Sequence, residues 1–358
     1  MILSSVVHFA LLLLPGVVDA APKGSKFRQE KRSTILSRKE WRSLTSCEKT
    51  EYIDAVKCLQ TRPARHQNMY PGARSRYDDF IGLHIALNHQ IHFIGTFFAW
   101  HRYYVYLFEK DLRETCDYKG AQPYWDWSLD AVTIDSWAQS PIFDVEFGFG
   151  GNGEYIEDIS NLTQTSAYPV TGRTGGGIVT TGPWANTTIS MGLGKSLEYA
   201  PHYLRRDFSP SLAMRTLNSS AVQWVQESDS FALFDRRSQS LKPGLGGVST
   251  HGGGHLAVGG QVGELSNAYS SCGDPLFWVH HGHLDNLWNK WQRLNWTVRK
   301  DEITGPDVEW AYPWNYFGDI PYNNITLDTP LEFGPFAQNI TVRTVMDISS
   351  YSLGYEYI

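Results

Sequence analysis

The stretch that decides the fold runs from His251 to Trp288, HGGGHLAVGGQVGELSNAYSSCGDPLFWVHHGHLDNLW, and it holds five of the twelve histidines. His251 and His255 lie four residues apart, so on a helix their side chains project from one face and can reach one metal ion. The Cys-Gly-Asp-Pro break at residues 272–275 predicts the start of a second helix that returns to the same point. We therefore expect two helices to share a metal site.

The third ligand of this site comes from the second helix, which carries three histidines: His280, His281 and His283. Asp285 lies four residues beyond His281. It can face the same way, accept a ring N–H and fix the tautomer of a ligand histidine. The sequence thus predicts Asp285 as a support for a ligand.

A second histidine-rich region spans residues 77–116. Its apolar positions predict two helices with an interruption near Gly95-Thr96. On one ideal helix His92 and His101 would point in opposite directions, because nine residues make two and a half turns. A bend at the interruption would bring His101 back toward His84 and His92. Glu109, two turns further on, is either another acceptor for a ring N–H or an exposed helix carboxylate.

Composition limits the classes of partner. The chain has 358 residues, 13 tryptophans and a net charge of −6, which predicts a large, aromatic core in one large domain or two ordinary ones. No internal repeat is visible and no linker marks a domain boundary. Because no basic stretch follows the N-terminal region, we expect no nucleic-acid partner.

The N-terminal region predicts secretion. Residues 1–20 contain an apolar run too short to span a bilayer and end in Val-Asp-Ala, as a signal peptide does. Residues 21–37 form a basic N-terminal arm or a pro-segment, with Lys31-Arg32 as a candidate processing site. No second apolar segment predicts a membrane anchor. Six Asn-x-Ser/Thr sites predict a secreted glycoprotein: Asn161, Asn186, Asn218, Asn295, Asn324 and Asn339.

Four cysteines are compatible with disulfides in a secreted chain: Cys47, Cys58, Cys116 and Cys272. If residues 46–60 form one helix, Cys47 and Cys58 are roughly 16 Å apart along it and cannot bridge. Our expectation is a bond between Cys58 and Cys116. The cysteine spacing has no zinc-finger pattern, so metal chemistry must come from histidine.

The rest of the chain predicts scaffold. Residues 123–130, PYWDWSLD, read as aromatic packing beside the site. Residues 131–250 lack helical periodicity and predict loops and short strands over a helical core. The G-x-G-x-x-G match at 148–153 is not a nucleotide loop, because neither a strand nor a helix pattern flanks it. Residues 289–358 predict irregular or strand-rich structure.

Two groups of histidines without cysteine or carboxylate ligands favour a transition metal over calcium or magnesium. Zinc and copper both satisfy this pattern. A catalytic zinc site needs only three protein ligands, so six histidines more naturally hold two ions.

The stretch from Asp274 to Asp285 resembles the copper-binding signature of tyrosinases, catechol oxidases and haemocyanins. His84-x7-His92-x8-His101 followed by arginine is similar to their first-copper region. Other stretches resemble short secreted fungal tyrosinases and catechol oxidases (polyphenol oxidases): RKEWRSL at 38–44, PYWDW at 123–127, GPWANTTISMG at 182–192, PHYLRRDFSP at 201–210, HGGGHLAVGG at 251–260 and the closing Tyr355-Glu-Tyr357. The resemblance covers residues 38–358.

The resemblance implies a tyrosinase-like catalytic domain over residues 38–358. This domain is mainly α, with a central four-helix bundle that holds a dicopper site and is surrounded by long loops and short strands. One copper ion is assigned to His84, His92 and His101, and the other to His251, His255 and His281. His280 and His283 are left as neighbours, and His89 has no assigned role.

The activity implied is that of a type-3 copper enzyme, which uses O2 to oxidise o-diphenols to o-quinones. Many efficient monophenol hydroxylases of the family have Asn after the first histidine of the second triad, acting with a nearby Glu. Here that position is Gly252, and the nearest preceding acid is Asp235. We therefore expect weaker or no monophenol hydroxylation, because a base assists a phenol more than a catechol.

Two further positions follow from the resemblance. Leu256 matches a residue that lines the substrate entrance in relatives, with ordinary core packing as the alternative. Gln90 stands where some fungal tyrosinases carry a cysteine joined to a ligand histidine, so that thioether is not expected.

Three alternatives remain open at this point. The first is a specialised tyrosinase-like oxidase of one phenolic secondary metabolite or of a peptide tyrosine. The second is a haemocyanin-like O2 binder, and the third is a non-catalytic structural metal protein. The expected partners are O2 and small phenols, without nucleic acid or membrane.

Overall fold

The computed structural model describes residues 35–192, 194–242 and 244–358. The predicted signal peptide and Lys31-Arg32 lie outside the described residues. The first strand, β1, begins at Leu36, inside the range assigned to the N-terminal arm.

The described chain is mainly α-helical, as predicted. The helices are α1 Ser46–Thr61, α2 Arg76–Leu87, α3 Phe97–Thr115, α4 Ile134–Ala138, α5 Pro210–Thr216, α6 Ser219–Gln226, α7 Phe231–Gln239, α8 Thr250–Gly259, α9 Leu276–Leu294 and α10 Trp296–Arg299. The strands are short: β1 Leu36–Arg38, β2 Thr188–Ile189, β3 His202–Tyr203, β4 Pro330–Leu331, β5 Ile340–Thr341 and β6 Tyr355–Tyr357. They pair two by two, β1 with β6 in parallel and the other two pairs antiparallel.

The start of α2 is fixed by local sequence. The Ser75 side chain accepts a hydrogen bond from the Asp78 N–H, and the Asp78 side chain accepts one from the Ser75 N–H. This capping box satisfies two backbone donors that the helix leaves free, and such a cap stabilises a helix by about 1 kcal/mol. Thr45 and Glu48 form the same motif at the start of α1.

Helices α2, α3 and α9 meet in an aromatic core. The rings of Phe108 in α3 and Trp278 in α9 stack with centroids 3.6 Å apart, and Phe80 of α2 packs edge-on against both. Helix α8 packs against α9 and completes a central group of four helices. Eight tryptophans are fully buried around this group: Trp41, Trp125, Trp127, Trp137, Trp184, Trp278, Trp288 and Trp291.

The expectation for residues 131–250 was partly wrong. Residues 210–239 fold into α5, α6 and α7, whereas loops and short strands were predicted. These helices have seven to nine residues each, so none contains enough turns to show a clear period in the sequence. Pro210 at the first turn of α5 and the cap from Asn218 on α6 were the available start signals. The prediction for residues 289–358 was wrong at its start, because α9 continues to Leu294 and α10 follows it. Beyond α10 the chain is irregular with short strands, as predicted.

Cys58 and Cys116 form the predicted disulfide, with Cα atoms 5.9 Å apart. The bond joins α1 to the residue that follows α3. Within the described chain, Cys47 is exposed and Cys272 is buried, and neither is bonded to another cysteine. Across the same residues, no helix has both the length and the hydropathy to cross a membrane.

The N- and C-terminal strands are joined by a buried ionic network. The Asp285 carboxylate accepts hydrogen bonds from Arg102 Nε, from Tyr355 OH at 2.5 Å and from Tyr357 OH at 2.6 Å. Arg38 of β1 donates to the Glu109 carboxylate at 2.5 Å and lies 3.4 Å from Asp285. Burial disfavours the charged carboxylate, but the two arginines lower the pKa of Asp285 below its ordinary value.

This network differs from the role expected for Asp285 and Glu109. Asp285 lies on the side of α9 that faces Arg102, Arg38 and the C-terminal tyrosines, so its oxygens are occupied there and not by a histidine ring. Glu109 is buried, and it binds Arg38 and the Gln122 N–H. The sequence spacing predicted that both acids lie on helices that carry site histidines. It could not show that their carboxylates bind arginine side chains instead of histidine rings.

Candidate dinuclear metal centre

Helices α8 and α9 build the first group of three histidines. His251 and His255 lie one turn apart on α8, and His281 lies on α9. One ring nitrogen from each lies within 4.8 Å of the other two. The two helices therefore share one histidine group, as the spacing of the histidines predicted. His280 and His283 do not join this group.

His84, His92 and His101 form the second group, also with ring nitrogens within 4.8 Å of one another. Helix α2 ends at Leu87 and α3 begins at Phe97, so the interruption is longer than the sequence predicted. His92 lies in this segment, outside both long helices. The chain can therefore turn its ring toward His101, which one continuous helix would forbid.

Backbone carbonyls orient four of the six rings. The Nδ1 atoms of His84, His92, His101 and His255 lie 2.6, 3.0, 2.9 and 2.7 Å from the carbonyl oxygens of Tyr269, Asn88, Phe97 and Leu265. A ring that donates from Nδ1 carries no proton on Nε2, whose lone pair is then free for a metal. For His92 and His101 the acceptor is the carbonyl four residues earlier in the sequence.

The remaining ring nitrogens fit a metal centre. His84 Nε2, His101 Nε2 and both nitrogens of His251 are buried without a hydrogen-bond partner. His255 Nε2 and His281 Nε2 lie 3.2 Å apart and point at one another. Buried polar atoms without partners destabilise a fold, so this concentration at one place indicates ligands for metal ions.

The two groups face one another across a small space. The His101 and His281 rings stack with centroids 4.6 Å apart, and the His92 and His251 rings stack at 5.9 Å. Phe97 packs between the groups, 4.6 Å from both His101 and His251. The arrangement can hold two metal ions side by side.

Burial keeps the six rings neutral. The pKa of His84 and of His255 falls to about 4, mainly because burial disfavours the charged ring. Burial, with repulsion from neighbouring imidazoles, lowers the pKa of the other four well below the ordinary value: His92, His101, His251 and His281. Neutral imidazole is the form that binds transition metals.

His280 supports the site although it belongs to neither group of three histidines. Its Nδ1 accepts a hydrogen bond from Trp127 Nε1 at 3.1 Å, and its Nε2 donates to the His251 carbonyl at 3.1 Å. Trp127, from the aromatic patch at 123–130, thus orients the His280 ring, and that ring in turn binds the backbone of α8 at His251. His283 lies 3.3 Å from Asp126, and burial lowers its pKa to about 4. No sequence signal predicted the His280 contact.

A cavity of about 500 Å³ opens above the histidines. His92, His251 and His255 form its floor, and Gly252 and Leu256, the two predicted pocket residues, line it. Its volume falls in the range of ordinary small-molecule sites. We call it the inner cavity. His89 lies at its mouth, where Nδ1 is 2.8 Å from the Glu309 carboxylate and Nε2 is 3.2 Å from Tyr269 OH.

Comparison with known proteins identifies the family. The family model for the common central domain of tyrosinase matches residues 74–294, which include both histidine groups. The chain belongs to the tyrosinase family. Tyrosinase-family proteins use a dinuclear copper centre, O2 and phenolic substrates.

Relatives extend the tyrosinase match to most of the chain. N-acetyl-6-hydroxytryptophan oxidase of Emericella nidulans is 33% identical over 347 residues, covering 89% of this chain and 91% of the relative. Tyrosinase P of Aspergillus terreus is 34% identical over 320 residues, covering 83% and 85%. The solved structure of a polyphenol oxidase mutant from Thermothelomyces thermophila superposes with a TM-score of 0.79 at 32% identity, covering 90% and 89%. The names of these relatives point to different substrates. Together they show that the chain is a tyrosinase-family oxidoreductase, without identifying its substrate.

Proposed function

We propose that the protein is a type-3 copper oxidase that uses O2 to oxidise o-diphenols to o-quinones, with weaker or no monophenol hydroxylation. His84, His92 and His101 would hold one copper ion, and His251, His255 and His281 the other. The observation that carries the proposal is the set of unpartnered ring nitrogens in two facing groups beneath an open cavity.

When bound, two copper ions supply the electron exchange between diphenol and O2. Each diphenol gives up two electrons and two protons, and one O2 that takes four electrons and four protons becomes two water molecules. The chain itself does three things. It holds the six rings neutral and orients four of them through backbone carbonyls, it shields the histidines with Phe97 and Phe277, and it offers the inner cavity to one aromatic ring.

The preference for diphenols rests on the absence, among the described residues, of a free carboxylate beside the inner cavity. Glu309 is the acid among the described lining residues, and it is bonded to His89 at the mouth. Asp235 is 3% exposed and accepts a hydrogen bond from Gln239, and burial raises its pKa well above the ordinary value. Neither group is placed to take a proton from a phenol near Gly252.

The first test is oxygen consumption by the copper-loaded protein with catechol, followed by a matched monophenol. We expect uptake with catechol and little or none with the monophenol. His281→Ala removes one ligand and should abolish uptake, because it leaves the second copper position with two histidines. Absence of uptake with catechol, from protein shown to hold two copper ions, would overturn the proposal.

A second candidate is a specialised oxidase of one phenolic secondary metabolite. Two observations favour it: a single catechol ring leaves most of the inner cavity to water, and one relative is named for a substituted tryptophan. A turnover rate with simple catechols far below that with a larger substituted phenol would support this candidate.

We also propose that the chain is secreted and glycosylated. Five of the six sequon asparagines are exposed, and a disulfide is present. The exception is Asn218, which is half-buried and caps α6: its side-chain oxygen accepts from the Ala221 N–H, and its amide donates to the Met214 carbonyl. Mass spectrometry of the protein from its natural secretion would show glycans at the five exposed sites and an N-terminus beyond residue 20.

A further inference from the structure

A second cavity of about 490 Å³ adjoins the inner cavity. We call it the outer cavity. The two cavities share three lining residues, His89, Glu309 and Trp310, which we call the ridge. A molecule longer than one aromatic ring can therefore occupy both sides of the ridge at once.

The outer cavity has an apolar floor. Five of its lining side chains are buried hydrophobic residues with 1–5% exposure: Ile91, Ile94, Trp100, Ile325 and Leu331. Phe317 stands at its rim with 70% of its surface exposed, and Val308 is 36% exposed. Exposed apolar side chains beside an apolar concavity indicate a binding surface.

Trp310 of the ridge and its neighbour Phe93 are held in strained conformations. Phe93 and Trp310 have φ angles of 51° and 62°, in the left-handed region that bulky residues rarely adopt. Their rings stack with centroids 3.6 Å apart, and the Trp310 N–H donates to the Phe93 carbonyl at 3.2 Å. Gln239 accepts the Phe93 N–H at 2.7 Å. Such strain persists where the surroundings impose it, and it concentrates at functional sites.

The other walls of the inner cavity are mixed in character. Polar side chains such as Thr165 and Ser166 lie beside apolar ones such as Val248 and Leu256. A substituent that extends past the Phe93–Trp310 stack reaches the buried apolar floor of the outer cavity instead. The ridge side is therefore the direction in which a long apolar substituent finds further apolar surface.

We propose that the outer cavity binds the apolar tail, alkyl or aryl, of a phenolic substrate whose ring lies in the inner cavity. This inference rests on the proposed function, because the ring must be a phenol for the copper site to act on it. The tail passes over the ridge and covers the floor formed by Ile91, Ile325 and Leu331. The substrate class is thus a substituted phenol with a distal apolar group.

The test uses the copper-loaded full chain and two series of compounds. The 4-alkylcatechols from methyl to hexyl give KM values. The matching 4-alkylbenzoates are not oxidised, so their Kd values, measured by tryptophan fluorescence, do not depend on turnover. Burial of one methylene group contributes up to about 0.8 kcal/mol to binding. We therefore expect KM and Kd to fall about two- to fourfold for each methylene that enters the outer cavity.

Val308→Lys places a charge at the outer cavity and should remove this dependence on chain length. Val298→Lys is the matched control, because Val298 is 57% exposed on α10 and lines neither cavity. A chain-length dependence that is flat in the natural protein overturns the proposal. So does an equal dependence in Val308→Lys, which would place the tail in the inner cavity. Failure of the proposed function would instead appear as no turnover of any catechol.

Discussion

At the scale of single residues, the three glycines after His251 have different surroundings. A Cβ on Gly254 would lie 2.2 Å from His280 Cε1, and one on Gly253 would lie 2.4 Å from Thr216 Oγ1. A Cβ on Gly252 would meet only Val248 Cγ1 at 3.3 Å as its nearest neighbour. Two of the glycines are therefore required by close packing of α8, whereas Gly252 faces space that a side chain can enter.

Gly252→Asn should fold and should raise the ratio of monophenol to diphenol oxidation. A complete general base contributes about 100-fold or more, and no free acid stands beside this position, so we expect a rise of about tenfold or less. Rates on tyrosol and hydroxytyrosol, which differ by one hydroxyl, measure the ratio. Gly254→Ala is the control for packing and should lower the free energy of unfolding by about 1–3 kcal/mol.

His202 differs from the buried histidines of the site, because protonation of its ring should stabilise the fold. Burial opposes its protonation, but the Glu264 carboxylate, 2.9 Å from Nε2, raises the pKa above the ordinary value. A raised pKa in the folded state means that the contribution is complete below about pH 6.5 and is lost as pH rises through the folded pKa. His202→Gln should therefore lower the free energy of unfolding by about 1 kcal/mol more at about pH 5.5 than at about pH 8.5. Urea titrations at the two pH values measure this difference, and an equal loss at both would contradict the assignment.

At the scale of elements, the sequence predicted the helices whose ends carry strong signals. His251 and His255 at helical spacing predicted α8, and Pro275 predicted the start of α9, which begins at Leu276. The end of α2 was harder to predict, because Ile91 and Ile94 continue the apolar pattern past Leu87. Both are buried, and they line the outer cavity together with Ile325 and Leu331, a tertiary effect that periodicity cannot separate from a helix face.

The membership of the two groups of three histidines could be predicted from the sequence only through the family resemblance. Spacing alone left His280, His281 and His283 equivalent, because a shift of one residue on α9 turns a side chain by about 100°. The structure separates them: His281 faces the other histidines, His280 faces Trp127, and His283 faces Asp126. No sequence signal predicted the ridge, because it joins residues more than 200 positions apart.

The disulfide between α1 and the end of α3 should be a major source of stability at this scale. It closes a loop with a sequence separation of 58, and loops of this size predict a stabilisation of about 2–4 kcal/mol. The double variant Cys58→Ser, Cys116→Ser should lose this amount in chemical denaturation. Cys47→Ser is the matched control and should leave the midpoint unchanged, because Cys47 is exposed and outside the bond.

At the scale of the whole molecule, the network around Asp285 joins the two terminal strands to α3 and α9. Tyr355→Phe removes one hydroxyl donor from this buried carboxylate and leaves the ring packing in place. We expect a loss of about 1–3 kcal/mol in the free energy of unfolding, because a buried charge loses a partner. Tyr351→Phe, at a residue 85% exposed, should have no effect. Equal stability of the two variants would show that Asp285 is satisfied without Tyr355.

The parallel pairing of β1 with β6 also has a mechanical consequence. A force that pulls the N-terminal end of β1 away from the C-terminal end of β6 acts along both strands. All of their cross-strand hydrogen bonds, together with the Arg38 and Tyr357 contacts to Asp285, are then loaded at once and cannot open one after another like a zipper. The two strands form a shear clamp, and their contacts to Asp285 of α9 stay in place until that clamp breaks.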